Sequence, residues 1–139
     1  MENIRVIRAG IVEHHVMAEV MKGIQQQRIA EEVPDTLILV EHPEVVTIGP
    51  KAVREGVEVD GYPTVLTDRG GGITWHGPGQ LVAYPIVKWG LEEQSIRTII
   101  GRLEDWAIKA FADCGIGAYK DPSMQGTWVD GHKICSIGL

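Results

Sequence analysis

Cysteine is scarce: Cys114 and Cys135 are the only two in the 139 residues, too few for the disulfide framework of a small secreted domain. Basic side chains are in deficit. Thirteen Lys and Arg against nineteen Asp and Glu leave a net charge of -6, so the average surface repels a phosphate backbone and no nucleic-acid partner is expected. Long apolar runs are missing too. The longest, around Thr36–Val40 and Leu81–Val87, fall far short of the roughly 20 residues that a membrane-spanning helix needs. The opening MENIRVIRAG mixes charges into its first ten residues, unlike the apolar core of a secretory signal. A cytoplasmic protein with no membrane partner is expected. What remains is ordinary: 44% hydrophobic and 23% charged residues describe a soluble globule, and the length suits one domain over residues 1–139.

Hydrophobic spacing lays out the elements. After a strand-like Ile4–Ile7, the segment Glu13–Glu32 places Met17, Val20, Met21, Ile24 and Arg28 at helical intervals, with Pro34 beyond its end. Thr36–Glu41 and Val45–Ile48 read as strands flanking the turn at His42-Pro43, and Lys51–Pro63 as a loop of mixed charge. Val65–Thr67 and Leu81–Val87 are strands again, with an irregular glycine-rich connection between them. From Ser95, an N-cap, the positions Ile96, Ile99, Ile100, Leu103, Trp106, Ala107, Ala110, Phe111 and Cys114 keep helical spacing, and Gly115 is placed to stop the helix. Thr127–Val129 and His132–Ile137 flank Asp130-Gly131, the signal of a type I′ hairpin. The class is α+β, a mixed, largely antiparallel sheet with packed helices.

The densest chemical signal is RGGGITWHGPGQLVAYP, Arg69–Pro85, with five glycines. Glycines let backbone N–H groups approach a ligand. Arg69, His76 and Gln80 supply a fixed cation, an imidazole and an amide around that backbone, a set suited to a polar head group. No Gly-Lys-Ser/Thr closes the run and no helix follows it, so both nucleotide-loop readings are weak. In the last strand, alternation puts Lys133 and Cys135 on one face, where an ammonium lowers a thiol pKa. Spacing alone makes Cys135 a candidate nucleophile, although a buried structural thiol is the commoner state of such a residue. Cys114, on the apolar face of its helix, is expected in the core. Metal binding has little support and no metal or cofactor is expected. His14 and His15 point about 100° apart on a helix, while His132 and Cys135 face opposite ways on a strand. His42 reads as a turn or core-edge residue.

These residues resemble the lipoyl(octanoyl) transferases. RGGGITWHGPGQLVAYP is similar to that family's signature, GHKICSIGL to its second block, and TLILVEHPEVVTIG to its opening strands. The resemblance implies a catalytic domain like that of biotin and lipoate ligases. It also implies transfer of an octanoyl or lipoyl group from acyl carrier protein to a lysine of lipoate-dependent proteins, such as the lipoyl domains of 2-oxoacid dehydrogenases or glycine cleavage H protein. It assigns Arg69, Gly70, Gly71, Gly72, Ile73, Thr74, Trp75 and His76, with Ser136, Ile137 and Gly138, to substrate binding. Lys133 matches the lysine that lowers the pKa of the family's nucleophile. That nucleophile is a cysteine in a Pro-Cys-Gly context a few tens of residues past the lysine block, beyond Leu139. Cys135 is therefore not that residue, and the chain reads as the N-terminal portion of a transferase. Two other readings stand beside it: an ATP-dependent lipoate-protein ligase, and a catalytically inactive module that binds the acyl group or its carrier.

Overall fold

The computed structural model describes residues 3–139, and the chain divides into two compact units, Met1–Lys88 and Trp89–Leu139. The first unit contains β1 (Ile4–Ile11), α1 (His14–Ile29), β2 (Asp35–Glu41), β3 (Val45–Ile48), α2 (Pro50–Arg54), β4 (Thr64–Leu66), β5 (Ile73–His76) and β6 (Val82–Ile86). They form two mixed three-stranded sheets. In one, β2 lies between parallel β1 and antiparallel β6; in the other, β3 lies between parallel β4 and antiparallel β5.

Strand alternation and helical spacing meet in the core of this unit. On β2 the inward positions Thr36, Ile38 and Val40 are almost fully buried, and Met17 and Ile24 of α1 pack with Ile38 and Val40. Of the helical stripe read from the sequence, Val20 is 45% exposed instead. Arg28, at the end of the stripe, turns its charge to Asp35, with Nε 2.7 Å from Oδ1. Helix α1 stops at Ile29, short of the predicted Glu32, because Glu31 takes a left-handed φ of 60° and leads the chain away. Two further differences have local causes. Pro50, favoured at a helix start, opens α2, which runs into the first residues of the expected loop Lys51–Pro63. Ile73–His76 pairs with β3 as a strand inside the run read as an irregular connection; its flanking glycines concealed four residues of good strand character.

The second unit contains α3 (Ile96–Asp113), β7 (Tyr119–Asp121), β8 (Met124–Val129) and β9 (His132–Cys135), with the strands in an antiparallel meander. The predicted cap is present, Ser95 Oγ accepting from the Thr98 N–H at 3.1 Å. The hairpin turn has the two positive φ angles that its type requires, 50° at Asp130 and 78° at Gly131. Two expectations are overturned. Cys114 is exposed rather than in the core, because it occupies the C-cap where the chain leaves the helix. The buried residue of α3 is a carboxylate, Glu104, and not a member of its apolar stripe. The fold is thus mixed α+β, its strands in two mixed sheets and one antiparallel sheet. Among the described residues no helix is long and apolar enough to cross a membrane.

Candidate active site

In the unit Met1–Lys88 the glycine loop is held by Thr47 on β3 and by Gly49 just past its end. Thr47, fully buried, accepts from Arg69 Nη2 at 2.6 Å through its hydroxyl, which itself donates to the Thr74 carbonyl at 3.2 Å. Arg69 Nη1 donates to the Gly70 carbonyl at 2.9 Å, and Nη2 reaches the Thr47 and Gly72 carbonyls at 3.3 Å. The guanidinium therefore serves as the internal clasp of its own loop. Gly49 closes the other side: its N–H donates to the Gly72 carbonyl at 2.9 Å, and a Cβ at Gly49 would run into the Gly71 carbonyl oxygen. Gly71 has a φ of +102°, a conformation that L side chains rarely adopt.

Beside the loop lies a cluster that the sequence reading missed. The rings of His14, His42 and His76 have centroids 5.1 Å, 5.8 Å and 6.1 Å apart. His14 opens α1, His42 follows β2 and His76 ends β5, so long-range pairing brings them together. His42 is fully buried. Its Nδ1 lies 2.7 Å from the Val12 carbonyl, which can only accept, so Nδ1 carries the proton and Nε2 receives the Tyr84 hydroxyl at 2.8 Å. Burial raises the Tyr84 phenol to about 12, which keeps it a donor.

His76 is oriented by Gln80. The Gln80 amide nitrogen donates to the Trp75 carbonyl at 3.3 Å, which turns Oε1 toward His76 Nδ1 at 2.8 Å. Nδ1 then donates, and Nε2 is left as the accepting nitrogen. Burial holds the His76 pKa below its ordinary value, with Gln80 opposing and His42 and Arg69 adding to the shift. His14 is lowered further, to about 4, by burial and then by His42, His76, Arg69 and His15. Near neutral pH both imidazoles are uncharged. The strand also orients its other predicted members: Thr74 and His76 are half-buried on one face of β5, while Ile73 and Trp75 are exposed on the other. Trp75 Nε1 donates to Glu44 Oε2 at 3.0 Å.

In the unit Trp89–Leu139, Lys133 is exposed on β9, its Nζ 6.0 Å from the centroid of the Trp128 ring. The alternation predicted for β9 is interrupted: Thr127 pairs with Cys135 and Trp128 with Lys133, so Ile134 is an extra residue in the ladder. Burial pushes the Cys135 thiol up, more than the Lys133 charge brings it down, which makes it a poor nucleophile. Ser136 and Gly138 are exposed, and the Ile137 carbonyl accepts from Gln125 Nε2 at 2.6 Å. An open cavity of about 600 Å³ in this unit is lined by Ile96, Ile100, Glu104, Met124 and Gln125, among others, but not by Lys133 or Ser136–Gly138. Among the described residues no group of three or more His, Cys, Asp or Glu is placed to hold a metal ion, and both nitrogens of His42 are spent on protein partners.

The chain is similar to octanoyltransferases. That of Mycobacterium avium (strain 104) is 41% identical, the match covering 98% of this chain and 60% of the relative; that of Corynebacterium glutamicum (strain R) is 35% identical over 99% and 57%. The chain thus spans about 60% of the length of the curated relatives it matches. Among solved structures, the T. acidophilum protein Ta0514, a candidate lipoate protein ligase, superposes with a TM-score of 0.63 at 16% identity, over 96% of this chain and 60% of that one. P. falciparum LipL1 in complex with lipoate gives 0.58 at 14%, over 94% and 42%. These identities make the structural likeness evidence of fold alone, whereas the sequence match to the lipoyl protein ligase A/B catalytic domain runs over residues 15–139. The chain belongs to the lipoyl protein ligase A/B catalytic domain family.

Proposed function

We propose that this protein transfers an octanoyl or lipoyl group from acyl carrier protein to a lysine of lipoate-dependent proteins, the lipoyl domains of 2-oxoacid dehydrogenases or glycine cleavage H protein, in the cytoplasm. The carrying observation is the 41% identity to an octanoyltransferase over 98% of the chain, a match that takes in both the glycine loop and the lysine strand. We read residues 1–139 as part of one catalytic domain. The donor is a thioester and the product an amide, so transfer through a cysteine thioester is downhill without ATP. In this reading Arg69 fixes the glycine loop, and Gly70, Gly71, Gly72, Ile73, Thr74, Trp75 and His76, with Ser136, Ile137 and Gly138, line the acyl group. Backbone N–H groups of the loop face the developing oxyanion. His76 offers Nε2 as a hydrogen-bond acceptor to the attacking group. Lys133 holds its ammonium near the reacting thiol, favouring the thiolate.

The second reading, an ATP-dependent ligase, draws on the fold shared with the lipoate protein ligases. The two separate on the donor. Octanoyl transfer to an apo lipoyl domain from octanoyl-acyl carrier protein without nucleotide supports the proposal. Transfer only from free octanoate with ATP replaces it with the ligase, and donor binding without either transfer replaces it with the binding module.

A further inference from the structure

Glu104, the buried residue of α3, has no role in the chemistry just described. It is 8% exposed, and its Oε2 accepts from the Gly126 N–H at 3.0 Å. The strand ladder around Gly126 is interrupted on both sides: β8 loses register against β7 between the Tyr119–Trp128 and Asp121–Met124 pairs, and against β9 between Thr127 and Trp128. A strand amide at such a break is free for another acceptor, and a carboxylate is a strong one. Gly126 is itself buried, with a φ of +115°. A Cβ on it would lie 2.5 Å from the Cys135 carbonyl oxygen and 2.5 Å from Lys133 Cε. The aliphatic stem of Lys133 therefore lies across the bare Cα of Gly126.

We propose that Glu104 is a positioning residue for Lys133. Its carboxylate fixes the Gly126 amide, Gly126 forms the bed for the lysine stem, and the ammonium is thereby held in place. The inference rests on the reading of Lys133 as the lysine beside the reacting thiol, and its test separates the two. In the protein produced from its native gene, Glu104→Ala is expected to lower kcat about tenfold to a hundredfold, the range that a misplacement near 1 Å produces, with KM for the octanoyl donor unchanged. Glu104→Gln keeps an oxygen that accepts the Gly126 N–H and is expected to restore kcat and the parent pH profile. Where circular dichroism shows Glu104→Ala unfolded, Glu104→Asp takes its place, a folded anion one methylene too short.

Acetylation of Lys133 by an amine reagent, read by peptide mass spectrometry against Lys22 and Lys109, reports position without turnover. Lys133 labelling is expected to depart from the parent in Glu104→Ala, or in Glu104→Asp where that replaces it, and in Gly126→Ala. It is expected to return to the parent level in Glu104→Gln, while the two reference lysines stay constant. Unchanged Lys133 labelling in the folded disrupted variants overturns the proposal. Altered labelling in a protein that transfers no octanoyl group upholds the positioning and removes the functional reading.

Discussion

The glycine loop and the lysine strand are built on opposite plans. In the unit Met1–Lys88, the loop is tied from within: Arg69 makes four hydrogen bonds to Thr47, Gly70 and Gly72, and two of the three clustered histidines, His42 and His76, are oriented by the Val12 carbonyl and the Gln80 amide. In the unit Trp89–Leu139, Lys133 is exposed and its stem rests on a single glycine at a break in the ladder. The difference separates two requirements. The proposed acyl-binding loop would draw on fixed donors and on imidazoles, His14 and His76, that burial keeps uncharged. Lys133, which the proposal sets beside the reacting thiol, is instead presented on an exposed strand.

The largest effect expected from breaking this contrast is on the loop. Gly49→Ala puts a methyl against the Gly71 carbonyl and displaces the Gly49–Gly72 hydrogen bond; it should cost about 1–3 kcal/mol in urea unfolding. An unchanged midpoint would mean that the loop is not rigid. Next is Tyr84→Phe, which leaves His42 Nε2 buried without its donor. Leaving one buried acceptor unsatisfied costs on the order of 1–3 kcal/mol, and equal stability of the variant would show that water replaces the hydroxyl.

A smaller effect sharpens the electrostatic half of the comparison. The His14 pKa falls from 6.5 to about 4 on folding, so the unfolded chain takes up a proton that the folded one refuses. The His14 contribution to stability is flat above pH 6.5 and declines as pH drops from 6.5 toward 4. Replacing His14 by Phe keeps a ring and removes the titration, so the thermal midpoint of the variant should fall less over that interval. Parallel curves would place the titration elsewhere. The smallest effect is one of rate. Cys114 is exposed, whereas burial raises the Cys135 thiol, so a maleimide should modify Cys114 first; the reverse order would return Cys135 to consideration as a nucleophile.

What was legible in the sequence was local. The Ser95 cap, the stop at Gly115 and the Asp130-Gly131 turn are set by neighbouring residues, and each stands where it was read. The histidine cluster was not legible, because His14, His42 and His76 meet only after β2 and β3 have paired with strands far away in sequence. His42 in particular looked like a turn residue next to Pro43, yet it is fully buried. Glu104 was hidden by its own helix, where an acidic residue between apolar positions reads as solvent-facing. Its partner is the Gly126 amide at an interrupted ladder, which alternating residue types do not announce. The motif residues Arg69–His76 and Lys133 stood out from the start through glycine density and the spacing to Cys135, but the inward turn of Arg69 and the orientation of His76 by Gln80 required the three-dimensional pairing.

The most direct test of the account is octanoyl transfer by the protein produced from its native gene, compared with its Lys133→Met variant. Octanoyl-acyl carrier protein and an apo lipoyl domain are supplied without ATP, and the acceptor lysine is read by mass spectrometry. The account predicts an octanoylated lysine with the parent and loss of transfer with the variant, both proteins remaining folded. An unmodified acceptor with the parent, or equal modification by both proteins, contradicts it.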